Sequence, residues 1–173
     1  MIIGVNKIVT NDLLTIGIDY FGFASPKDSS YLNIKGKLIA NGAFSIGRGC
    51  RFDIGKNAVC ELGADSYLSP FTNLIISNGI SIGSHCAISW HCQFLDEDFH
   101  TMEYDGKKEN TNKRIDIADN VWIGCYVNVF KGTFIAKGCV VAANAVVRGR
   151  FDEENCLIAG NPAQVVKRYI SWK

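Results

Sequence analysis

The chain has 173 residues, 47% of them hydrophobic and 20% charged, with a formal net charge of +1. This balance fits a single globular domain and gives no reason to expect a nucleic-acid partner. The start, Met1-Ile2-Ile3-Gly4-Val5-Asn6-Lys7, is not a signal peptide, and no run approaches a membrane span, so a cytoplasmic protein is expected.

Residues 1–33 read as an irregular segment, with a candidate strand over Asp12–Ile18 and a loop over Ser25–Ser30. A β pattern starts at about Ile34. Ile46, Ile54 and Leu62 fall eight apart, then Leu62, Leu68 and Leu74 fall six apart, as do Ile82, Ile88 and Phe94. The period breaks over a charged loop, residues 97–114, and resumes at Ile115, so that Ile80-Ser81-Ile82 aligns with Ile115-Asp116-Ile117. Such a loop is either a functional insertion or a solvated excursion.

Beyond the loop, Ile117, Ile123, Val129, Ile135, Val141 and Val147 keep a strict spacing of six. A second row, Ile115, Val121, Val127, Thr133, Cys139 and Ala145, sits two residues before each. Neither a 3.6-residue helix nor two-residue strand alternation gives a period of six. A chain that bends after every six residues does, and three bends close one triangular turn of a parallel β-helix with both rows inward. The β-helix is expected over 34–160. After a polar break at 148–155, Pro162 suits the first turn of a short helix, so 161–173 is expected to be a C-terminal capping helix.

The seven cysteines form no Cys-x-x-Cys pair. Cys86, Cys92 and Cys139 occupy the small inward row, which favours reduced core thiols over disulfides or zinc ligands.

The phase of the ladder places side chains. Residues 18 apart stack on neighbouring turns about 4.8 Å from one another. Ile123 therefore lies against Val141, Gly124 against Ala142, and Cys125 against Ala143. Small residues at these corners either expose backbone N–H groups to an extended ligand or satisfy the steric needs of a bend. Trp122, Phe130 and Phe134 fall outside the inward rows, which suggests a covered surface.

The six-residue ladder resembles the hexapeptide-repeat acyltransferases, an all-β family of left-handed parallel β-helices. Three segments carry the resemblance more specifically: Ile88-Ser89-Trp90 leading to Leu95-Asp96-Glu97-Asp98-Phe99-His100, then Asn120-Val121-Trp122-Ile123-Gly124, and Ile158-Ala159-Gly160-Asn161-Pro162-Ala163-Gln164-Val165-Val166-Lys167. The nearest likeness is to maltose and galactoside O-acetyltransferases and to transferases of surface-polysaccharide biosynthesis. The chain departs from them at Arg148-Gly149, where Thr-Lys is common, and at 152–155, where a proline-containing turn is common.

The resemblance implies acetyl-CoA as co-substrate, no metal, and a homotrimer with active sites between subunits. It also implies O-acetylation of a sugar or surface-polysaccharide precursor, with His100 as general base and Asp98 or Asp96 orienting it. Trp122, Gly124, Cys125, Ala142, Ala143, Arg148 and Lys167 fall at cofactor-binding positions, and Asn78, Trp90 and Met102 are acceptor candidates. The Cys125 amide would stabilise the oxyanion. An N-acetyltransferase of an amino sugar, amino acid or antibiotic fits the same ladder. A γ-type carbonic anhydrase would need His85, His91 and His100 around zinc, and their spacings of 6 and 9 converge poorly. A non-catalytic β-helix would lack a use for the inserted loop.

Overall fold

A computed structural model describes residues 1–19, 22, 24–109 and 113–173. Among them the chain winds as a left-handed parallel β-helix with three faces. The first face carries Ile2–Ile3, Tyr31–Ile34, Arg51–Ile54, Asn73–Ile76, Gln93–Leu95, Asn128–Phe130 and Val146–Val147. The second carries Ile8–Thr10, Lys37–Asn41, Val59–Gly63, Ile80–Ile82, Ile115–Ile117, Phe134–Ile135 and Arg150–Phe151. The third carries Leu14–Ile18, Phe44–Gly47, Ser66–Leu68, Ala87–Ile88, Trp122–Ile123, Val140–Val141 and Leu157–Gly160. Coiling thus reaches back to Ile2, with Ile2 paired to Leu32 and Ile8 to Leu38.

Both inward rows are buried along their whole length. Removing each isoleucine or valine from water contributes about 1.5–3 kcal/mol, which favours this register over any slip. The eight-residue steps also belong to the ladder: Ile46, Ile54 and Leu62 stand buried on the third, first and second faces in turn, with the two extra residues taken up at corners. Ile123 pairs with Val141 and Ile80 with Ile115, as the spacings require. All seven cysteines are unpaired, and six are buried. Burial pushes the Cys50 and Cys92 thiols up to about 12 and Cys86 up to about 11.

The C-terminus corrects one expectation. Residues 163–167 form no helix. Ala163–Lys167 is a strand that turns back antiparallel on Leu157–Gly160. The last strand of a coil leaves a row of unpaired backbone groups, and a returning strand of β-branched Val165 and Val166 satisfies them where a helix could not. The loop also holds structure. Met102–Tyr104 and Lys107–Glu109 form an antiparallel hairpin across Asp105-Gly106, both with positive φ. Its following residues 110–112 lie outside the described residues.

Candidate active site

The three corners of the coil differ in content. Residues 124–127 and 142–145 turn from the third face to the first, and this is the groove corner. The loop of residues 97–114 leaves between the first face and the second, the loop corner. Residues 118–121 and 152–156 turn from the second to the third, the tail corner.

At the groove corner most of the backbone amides are committed. The Gly124 amide donates to the Val141 carbonyl, Tyr126 to Trp90, Ala142 to Ile158 and Asn144 to Cys125, at 2.8–3.1 Å. Between them, the amides of Cys125 and Ala143 have no acceptor among the described residues. One rung apart, they form a pair of donors about 4.8 Å from each other. Gly124 keeps the approach open, because a Cβ there would lie 2.7 Å from the Ala143 nitrogen.

These amides border a groove of about 350 Å³. Its wall is the outward ladder of the third face, Trp122 paired to Val140 and Val140 to Leu157, and Ser89 and Trp90 close its lower end. The Trp122 indole Nε1 donates to Ser89 Oγ at 3.3 Å. Ala142, Ala143, Gly124 and Cys125 therefore share one groove with Trp122, and Trp90, expected at the acceptor, joins them. Lys167 pairs with Leu157 at its upper end.

Below the amides the same corner carries a column of rings. His91 is stacked between Phe71 and Tyr126, with ring centroids 4.9 Å apart on both sides and planes within 11°. All three residues have φ near +60°, a conformation in which bulky side chains are uncommon. The column ends at a cavity of about 390 Å³ lined by Asp28, Ser29, Gly49, Arg51, Phe71, Asn73 and His91. His91 was named in the sequence only beside His85 and His100, and Arg51 and Asn73 were not singled out. The 35-residue step from His91 to Tyr126 equals the step from Ile80 to Ile115 and was the available signal.

The loop corner is arranged by charge. His100 is exposed there, and neither carboxylate contacts it among the described residues. Asp96 is fully buried and accepts from the amides of Ser77, Asn78 and Gly79, each at 2.7 Å, so it fastens the loop's exit. Asp98 accepts from Lys131 Nζ at 2.6 Å. Arg114 closes the loop's return on Glu61 and Asp116. Asn78 donates its side-chain amide to the Asp96 carbonyl, and Met102 projects from the hairpin. Arg148 lies over the Phe130 ring at 4.5 Å and Arg150 over Phe134 at 4.4 Å, so the outward phenylalanines are covered by guanidinium groups.

His85, His91 and His100 stand on three different corners, so one chain does not bring them together. For the same reason one chain does not join His100 to the amide pair: the first face lies between them.

No family model matches the chain. It is 43% identical over 167 residues to a 24.8 kDa protein of the cps region of Klebsiella pneumoniae, covering 96% of this chain and 74% of that protein. It is 25% identical over 171 residues to the Escherichia coli (strain K12) protein named as the lipopolysaccharide biosynthesis O-acetyl transferase WbbJ, covering 93% and 87%. Among solved structures, the hexapeptide-repeat containing acetyltransferase VCA0836 from Vibrio cholerae matches with a TM-score of 0.64 and 26% identity over 73% of this chain and 71% of that one. The polySia-specific acetyltransferase NeuO shares the fold with a TM-score of 0.66 at 21% identity, over 97% and 89%. With its ladder, its coil and these relatives, the chain belongs to the hexapeptide-repeat acyltransferases and is an acetyltransferase.

Proposed function

We propose that the protein transfers an acetyl group from acetyl-CoA to a hydroxyl of a saccharide in surface-polysaccharide biosynthesis, at sites shared between the protomers of a trimer in the cytoplasm. The observation that carries this reading is the free amide pair at Cys125 and Ala143 beside an apolar wall. Two donors one rung apart suit the carbonyls of an extended pantetheine arm, and Trp122, Val140 and Leu157 suit its methylenes. The relatives named for lipopolysaccharide and polySia support the acceptor class, and seven unpaired cysteines support a reducing compartment.

His100 of one protomer faces the groove corner of its neighbour and takes the proton of the acceptor hydroxyl. The hydroxyl oxygen attacks the thioester carbon, and the Cys125 amide donates to the oxyanion that forms. Collapse breaks the carbon–sulfur bond, and the proton held by His100 passes to the leaving thiolate. Lys167 at the head of the groove, and Arg148 brought to it on the neighbouring protomer's loop corner, supply cations for the nucleotide phosphates. Asp98 holds the loop through Lys131 rather than orienting the imidazole directly. The acceptor lies between Asn78 and Met102 at the loop corner and, across the interface, Trp90 and the cavity of Arg51, Asn73 and His91.

Subunit mixing tests this. His100→Ala and Gly124→Val, the latter filling the space before the Ala143 amide, are each expected to lose acetyl transfer. Co-expressed, they should regain about a quarter of the sites by random assembly, because each intact His100 then meets some intact grooves. Mixed trimers as inactive as their parents would refute the shared site.

A further inference from the structure

After Lys167 the chain does not leave the molecule. It descends along the tail corner, held at three points. Arg168 Nε donates to both carboxylate oxygens of Glu153 at 3.0 and 2.9 Å, the Ile170 amide donates to the Asn155 carbonyl at 2.9 Å, and the Trp172 indole donates to the Asn120 carbonyl at 2.9 Å. Glu153 and Asn155 belong to the last turn of the coil. Asn120 lies two rungs lower, because Trp122 pairs with Val140 and Val140 with Leu157. The tail thus carries Trp172 back to the rung of Trp122, where the two rings meet at 6.1 Å with a tilt of 45°. That separation is within the range of an edge-on aromatic contact. Among the described residues, the polar edge of Trp122 has one hydrogen-bond partner, the Ser89 hydroxyl.

We infer that Trp172 is a positioning residue for acyl-CoA. It holds the Trp122 indole in the orientation that forms the groove wall, so the C-terminal tail sets the affinity of a groove it does not line. The tail's route explains why the final strand is followed by an ordered return: its three anchors all serve to deliver one ring to one place. Trp172 acts through Trp122 and not on the thioester. The inference rests on the acetyl-CoA reading of the groove.

The chain's three tryptophans give the measurement. Trp90 and Trp122 line the groove and Trp172 packs on Trp122, so intrinsic fluorescence of the full chain reports on this site. Coenzyme A is titrated into wild type and variants, with calorimetry as a second reading. Trp172→Ala is expected to weaken binding about 3- to 10-fold, the size of a lost aromatic pair, while Trp172→Phe stays within about 2-fold. Trp122→Ala and the Trp122→Ala/Trp172→Ala double variant should bind alike, since the second change has nothing left to position. Tyr169→Ala, at a side chain exposed to solvent, should bind as wild type does. If Trp172→Ala does not fold, Trp172→Leu replaces it and is expected to show the same loss. Wild-type affinity in a folded Ala or Leu variant, or additive losses in the double variant, overturns the inference. A wild-type chain that binds no coenzyme A at millimolar concentration instead overturns the acetyl-CoA reading.

Discussion

The groove corner and the loop corner are cut from one repeat, yet they are held in opposite ways. At the groove corner the features recur with the rungs: free amides at Cys125 and Ala143, a glycine that keeps them open, and rings stacked 4.9 Å apart. At the loop corner the features are single side chains fastened by charge: Asp96 on three amides, Asp98 on Lys131, Arg114 on Glu61 and Asp116. A regular coil can repeat a donor from rung to rung, whereas a one-off chemical group needs the repeat to be interrupted. In the mechanism we propose, binding and chemistry therefore fall on different corners, supplied by different protomers.

This division has consequences of decreasing size. Replacing His100 by Ala is expected to lower kcat about 10²- to 10⁴-fold with an unchanged melting curve, the usual loss of a general base. Near wild-type turnover in steady-state assays would break the division at its root. Lys131→Met frees Asp98 and loosens the loop, so kcat should fall about 10-fold while the KM for acetyl-CoA holds, because misplacement of a catalytic group is felt in the chemical step. A rise in KM instead would tie Lys131 to the groove.

The smallest effect is on stability and belongs to the groove corner. The buried Cys92 thiol donates to the Gly124 carbonyl at 3.1 Å, and Cys50 to the Ser69 carbonyl at 3.4 Å. Burial pushes both thiols from an ordinary 9.0 up to about 12. Between those values the folded chain holds more protons than the unfolded one. Stability is therefore complete below about pH 9 and declines as the pH rises, by up to about 1.4 kcal/mol per pH unit for each thiol. Urea midpoints measured from pH 8 to 10.5 should fall, and fall less steeply in Cys92→Val; identical slopes would remove the thiols from the account.

Much of this was legible in the sequence. Burial with a period of six has one geometric solution, so Ile117 through Val147 fixed the coil, and the offsets of 18 and 35 fixed which residues touch. The position of the loop one face from Cys125 follows from the same counting. Other features are not written as patterns. Pro162 reads as a helix start, but the open edge of Leu157–Gly160 demanded a partner strand, and tertiary pairing overrode the local signal. Asp96 was expected, by resemblance, as a possible partner of His100, and only folding reveals three amides converging on it. Rings at left-handed positions 71, 91 and 126 have no propensity signature, since glycine or asparagine is the ordinary occupant. The Asp105-Gly106 hairpin was readable and is the plainest signal of the loop's internal order.

The pairing of Ile80 with Ile115 has a last implication. A strand that re-enters the stack 35 residues later lands where an uninterrupted turn would have put it. The coil therefore does not record how long the excursion was. Such a corner works as a socket, in which one loop can be exchanged for another of different length and chemistry while every rung above and below, and the groove they form, stays in place.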